Sequence, residues 1–157
     1  MTQTNSSIPS PVAVADFGPL AALAERPDSV LSGKVFLSGV LGLTSCEISL
    51  NRVPAGRGYP FMHKHRRNEE VYLVVGGRGV LLAEGREIPL QEGSAIRLAP
   101  EVERTLAAAA DAPLDYICFQ APQGAMPYGY MEDGYPTSFE VPFANPLPLP
   151  ETLRRGR

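Results

Sequence analysis

From Lys34 to Gln120 the chain never runs far without residues that interrupt regular structure. The interruptions are Pro54-Ala55-Gly56, Arg66-Arg67-Asn68, Gly76-Gly77-Arg78-Gly79, Glu84-Gly85, Gln91-Glu92-Gly93, Ala99-Pro100 and Asp111-Ala112-Pro113. Each contains a residue suited to turns: Gly reaches positive φ, Pro presets φ, and Asn or Asp bonds its own backbone. The segments between them read as strands over Lys34–Leu37, Thr44–Val53, Tyr59–His65, Glu70–Val75, Val80–Ala83, Arg86–Leu90, Ser94–Leu98, Arg104–Ala109 and Leu114–Gln120. Short strands at this spacing build a sandwich or a small barrel. With 15 glycines and 16 prolines in 157 residues, well above the usual share of about 12%, a helix bundle is excluded. The fold class is all-β.

Only one segment reads as a helix, Asp16 to Arg26, with Asp16 as cap, Pro19 in the first turn and Pro27 as the stop. Residues 1–15 read as a flexible tail, and 16–122 as one barrel with its preceding short helix. Residues 123–157 form an extended arm rich in Pro, Gly and aromatics. That arm is too apolar for a free linker, so it is expected to lie across the barrel or across a partner subunit. Three arginines close the chain (Arg154, Arg155, Arg157) and read as a solvated tail.

Charge and composition narrow the function. Fourteen basic against seventeen acidic residues leave −3, the wrong balance for a dedicated nucleic-acid binder. No apolar run approaches the roughly 20 residues that span a bilayer, so no membrane association is expected. The N-terminus lacks a basic region followed by an apolar one, as a secretory signal requires. Cys46 and Cys118 are far apart and form no disulfide or zinc pattern. A cytoplasmic protein with two reduced thiols is expected.

Chemistry concentrates in Tyr59-Pro60-Phe61-Met62-His63-Lys64-His65-Arg66-Arg67-Asn68-Glu69-Glu70-Val71-Tyr72. His63 and His65 are the only histidines. Two apart on a strand, both imidazoles leave the same face. A hairpin after His65 would return Glu70 against that pair. Two imidazoles and a carboxylate on one face make a metal site with open positions for water, oxygen or substrate. The divalent ion could be Fe, Mn, Ni or Zn. Strand parity adds Tyr59 and Phe61 beside the histidines, and Tyr72 beside Glu70, as substrate-binding or core residues. Tyr116, Cys118 and Gln120 form another one-face set.

This segment resembles the first motif of the cupin superfamily, G-x5-H-x-H-x(3–4)-E-x6-G. His63 and His65 match its histidines, Glu70 its glutamate and Gly77 its closing glycine. Glu69 is the alternative glutamate; Glu70 is preferred because it shares a face with Tyr72 and Val74. Arg57, between Gly56 and Gly58, stands at the leading glycine. The second motif, G-x5-P-x-G-x2-H-x3-N, survives only in outline. Gly93 fits, but Ala99, Glu101, Arg104 and Ala108 occupy the positions of Pro, Gly, His and Asn. The resemblance covers roughly residues 34–120. It implies a double-stranded β-helix (jelly-roll) barrel, a metal on His63, His65 and Glu70, a small-molecule pocket and a homodimer.

Arg104 stands where that family carries a fourth metal ligand. Arginine is always protonated and has no lone pair to donate, so it cannot ligate. Three arrangements are open: Arg104 grips an anionic substrate beside the metal, pairs with Glu70 in the metal's stead, or turns to solvent. The corresponding functions are a metal-dependent enzyme acting on a small anionic metabolite, foremost an oxygenase, or a non-catalytic ligand-binding or regulatory module.

Overall fold

The computed structural model describes residues 11–25 and 33–126, and isolated residues beyond them. The chain divides into two compact units, Met1–Ala125 and Met126–Arg157; every helix and strand named below lies in the first.

Seven antiparallel strands carry the fold: β1 (Lys34–Phe36), β2 (Glu47–Val53), β3 (Asn68–Ala83), β4 (Arg86–Gln91), β5 (Ala95–Leu98), β6 (Arg104–Ala108) and β7 (Leu114–Pro122). The long strand β3 organises them. Its first half pairs with β7 and β5, and its second half with β4 and β6. The β7 side continues through β2 to β1. This is the jelly-roll barrel expected from the sequence.

Two segments read as separate strands, Glu70–Val75 and Val80–Ala83, are one. The glycine run between them is not a hairpin turn. The register slips between Val74 and Gly76, and Gly77 adopts φ +73°. A Cβ on Gly77 would stand 1.8 Å from the Pro113 carbonyl oxygen. The glycines let β3 bend and cross from one sheet to the other, as a bulge does. The true reversal is Glu84-Gly85, where φ is 49° and 72°, the pair of positive values that a tight hairpin turn requires.

Tyr59–His65, read as a strand, contributes one isolated bridge, His63 to Arg104, and a second, Gly58 to Ala107, lies just before it. The expected N-terminal helix shrinks to a 3-10 helix over Leu20–Glu25. Asp16 accepts the Gly18 N–H at 2.8 Å, so its side chain closes a local turn rather than capping a helix. Arg26 and Pro27 lie outside the described residues, as do residues 1–10 and most of the C-terminal arm. One helical turn was not foreseen, α1 (Ser38–Leu41). The Glu47 carboxylate accepts the Leu37 and Ser38 N–H groups at 3.1 and 3.0 Å, satisfying donors that one turn cannot bond itself.

Alternate residues of β6 and β7 point inward, as the two-residue period demands. Leu81, Leu98, Leu106 and Leu114 form the main core with Tyr72, Tyr116 and Cys118. A second cluster forms where Leu23 of the 3-10 helix packs on Val35 and Leu37, next to Ile48 and Leu50 of β2. Among the described residues no helix is long and apolar enough to cross a membrane.

Candidate metal centre

The two histidines are positioned from outside β3. His63 and Arg104 exchange backbone hydrogen bonds at 3.0 and 2.9 Å, and the His65 N–H donates to the Pro100 carbonyl at 2.8 Å. The segment thus runs beside β6, not as a hairpin partner of Glu70–Val75. The extended backbone still sends alternate side chains to one face. Tyr59, Phe61, His63 and His65 stack as a ladder of rings, with centroid separations of 6.2, 5.9 and 5.6 Å.

Glu70 faces that ladder from the middle of the sheet, paired to Gln120 on β7 and Leu98 on β5. His65 Nε2 lies 3.2 Å from Glu70 Oε1, and His63 Nε2 lies 3.9 Å from Oε2. One donor atom from each of His63, His65 and Glu70 falls within 4.8 Å of the others. Glu69, the alternative glutamate, accepts the Arg97 Nε–H at 2.7 Å on the exposed side. Strand parity separates the two acids.

Arg104, at the start of β6, reaches Glu70. Its guanidinium, with none of its surface exposed, donates to Glu70 Oε2 and to the Val102 carbonyl at 2.9 Å. The guanidinium lies on Glu70 and is turned away from solvent. Arg104 is not among the residues that line the cavity, and its buried Nε has no hydrogen-bond partner. The Tyr72 hydroxyl also donates to Oε2, at 2.9 Å, and the Cys118 thiol donates to Oε1 at 3.5 Å. Tyr59 bonds the Tyr116 hydroxyl at 2.9 Å.

Burial works against ionisation of Glu70, but the Arg104 hydrogen bond and charge, with the Tyr72 hydroxyl, outweigh it and hold the carboxyl below its usual range. Burial and then the Arg104 charge lower the His63 imidazole, against the pull of Glu70. A neutral imidazole is the form that ligates metals. Burial, followed by the charge of Glu70, raises the Tyr72 phenol and pushes the Cys118 thiol up to about 12. Both remain protonated donors at neutral pH. The donor set suits a divalent ion: two imidazoles, one ionised carboxylate, and a buried His63 Nδ1 without a hydrogen-bond partner.

Above this floor opens a cavity of about 210 Å³. Its walls include Tyr59, Phe61, Tyr72, Tyr116 and Gln120, all marked by strand parity in the sequence. Lys34 and Phe36 of β1 line it too, and the sequence reading passed over them. The available signal was a lysine and a phenylalanine two apart on one strand face, with buried Val35 facing the other way.

The family model for the cupin domain matches residues 49–120. A cupin protein from Bacteroides fragilis is 32% identical, over 84% of this chain and 99% of that one, with a TM-score of 0.66. A Cupin 2 conserved barrel domain protein from Salinispora arenicola shares the fold at 20% identity, over 71% of this chain and 92% of its own, with a TM-score of 0.55. An uncharacterised protein of Methanocaldococcus jannaschii is 27% identical over 70 residues, 45% of this chain. The chain spans about half of that relative's length, 55%.

Proposed function

The chain belongs to the cupin superfamily, and on that premise we propose that it holds a divalent cation on His63, His65 and Glu70 and receives a small molecule in the cavity above. The observation that carries this reading is the convergence of those three donors within 4.8 Å at the cavity floor. When bound, a dication supplies Lewis acidity toward an oxygen-bearing ligand, and a redox-active ion also supplies electron transfer.

The protein's own groups do the rest. His63 and His65 offer imidazole nitrogens. Arg104 and Tyr72 occupy Glu70 Oε2 and so set the angle at which the carboxylate meets the imidazoles, the role that outer partners play at metal sites. Arg104 is therefore a positioning residue. Tyr59 and Tyr116 present hydroxyls to the ligand, and Phe36 and Phe61 present apolar faces. The finer reading is an oxygenase, because two histidines and one carboxylate with open positions are the usual set for non-haem iron.

The test is metal content. Protein purified without chelator and brought to equilibrium with excess Fe, Mn, Ni or Zn should bind about one ion per chain. His63→Ala and Glu70→Gln should each lose it while retaining the circular dichroism of the wild type. Absence of any ion from the wild type would overturn the reading. A second reading, a ligand-binding cupin without metal, draws on the Glu70–Arg104 bond itself. It gains if no ion binds and a double-mutant cycle shows strong coupling of that pair.

A further inference from the structure

Glu70 is the one carboxylate lining the cavity among the described residues, and Arg104 already balances its charge. The guanidinium is protonated throughout the pH range of folded proteins. The two imidazoles contribute no negative charge. The floor of the cavity is thus neutral. A dication placed there brings two charges that no other described side chain lining the cavity offsets. Uncompensated charge in a partly enclosed site of reduced dielectric is strongly disfavoured. The counter-charge has to arrive with the ligand.

The rest of the wall suits an oxyanion. In the Tyr59–Tyr116 pair, 2.9 Å apart, one phenol donates to the other, which leaves the acceptor's proton for an oxygen of the ligand. Burial raises both phenols, so both keep their protons. The cavity, at about 210 Å³, is smaller than the roughly 300–1,000 Å³ of sites for larger ligands. Phe36 and Phe61 add apolar surface beside the donors.

We propose, resting on the metal centre above, that this site binds its dication and a small carboxylate together, each holding weakly without the other, because Arg104 has neutralised Glu70. Arg104 would thereby select an anionic ligand through charge balance, without touching it.

Calorimetric titration of the full chain with Mn²⁺, alone and with formate, pyruvate or benzoate at matched ionic strength, tests this. Formamide and benzamide serve as neutral controls. At least one carboxylate should tighten Mn²⁺ binding about tenfold or more, its neutral amide should not, and Mn²⁺ should tighten that carboxylate by the same factor. Arg104→Met should strengthen binding of Mn²⁺ alone and remove most of the anion effect; Arg104→Lys should retain it. If Mn²⁺ binds equally well without every carboxylate, the proposal is overturned and the metal centre stands. If Mn²⁺ binds under no condition, this proposal falls, and the metal-content test with Fe, Ni and Zn decides the metal centre separately. Should Arg104→Met fail to fold, the wild-type comparison still decides.

Discussion

Arg104 pairs in register with Ala83 at one end of β3, while its guanidinium lies against Glu70 near the other end of the same strand. Thirteen residues of straight strand would span about 43 Å, far beyond the reach of a side chain. The contact exists because β3 bends at its glycines and the barrel closes. One ion pair therefore joins the closure of the fold to the geometry of the metal centre.

That pair should make a large contribution when broken from one side. Both side chains are nearly inaccessible, with Glu70 4% and Arg104 0% exposed. Removing one partner leaves the other charge buried and unpaired, a loss of about 3–5 kcal/mol. Arg104→Met should lower stability by about 3 kcal/mol in urea denaturation, and Glu70→Gln combined with it should recover part of the loss. A single-mutant cost below about 1 kcal/mol would mean that the pair is solvated.

Acid should weaken the fold in two stages. The folded His63 sits below its ordinary 6.5, so the unfolded chain takes up that proton first and stability starts to fall below pH 6.5. The folded Glu70 sits below its ordinary 4.5, so its stabilisation is complete above that value and disappears as pH drops through the lower folded one. Urea midpoints measured against pH should show His63→Asn flattening the first stage and Glu70→Gln flattening the second. Superimposable wild-type and His63→Asn profiles would contradict the assignment.

The tyrosine pair should respond asymmetrically. Tyr116 is 2% exposed, whereas Tyr59 is only partly buried and opens on the cavity. Tyr59→Phe strands the Tyr116 hydroxyl in the core, a penalty of about 1–3 kcal/mol. Tyr116→Phe leaves a hydroxyl that water can reach and should cost about 1 kcal/mol or less. Thermal melts giving the reverse order would show that the bond is not what satisfies Tyr116.

Two glycines with the same backbone angle should differ in tolerance. Gly85 has φ +72° with open space where a Cβ would go, and Gly77 has φ +73° with the Pro113 carbonyl oxygen there. Gly85→Ala should cost about 1 kcal/mol, the left-handed penalty alone. Gly77→Ala should cost clearly more and broaden the transition, because β3 and β7 must part. Equal costs would place the bend of β3 elsewhere.

The turn residues and the apolar segments between them were enough to read an all-β sandwich or small barrel, since both are local, and the cupin resemblance chose the barrel. The His63, His65 and Glu70 set was legible only in part, because the hairpin expected to bring Glu70 to the histidines does not form and the resemblance to the cupin motif is what joined them. A two-residue period puts both imidazoles on one face, and parity separates Glu70 from Glu69, which Arg97 holds on the outside. Local chemistry could not say that Gly76-Gly77-Arg78-Gly79 bends a continuous strand, because a glycine run permits a turn and a bulge equally. The choice depends on Pro113, some 36 positions away in sequence, whose carbonyl fills the space beside Gly77. Nor could it tell that Lys34 and Phe36 reach the cavity, or that Arg104 goes to Glu70 rather than to a ligand or to solvent. Those facts rest on which strands become neighbours when the barrel closes, and closure is set by the whole core, not by any one segment.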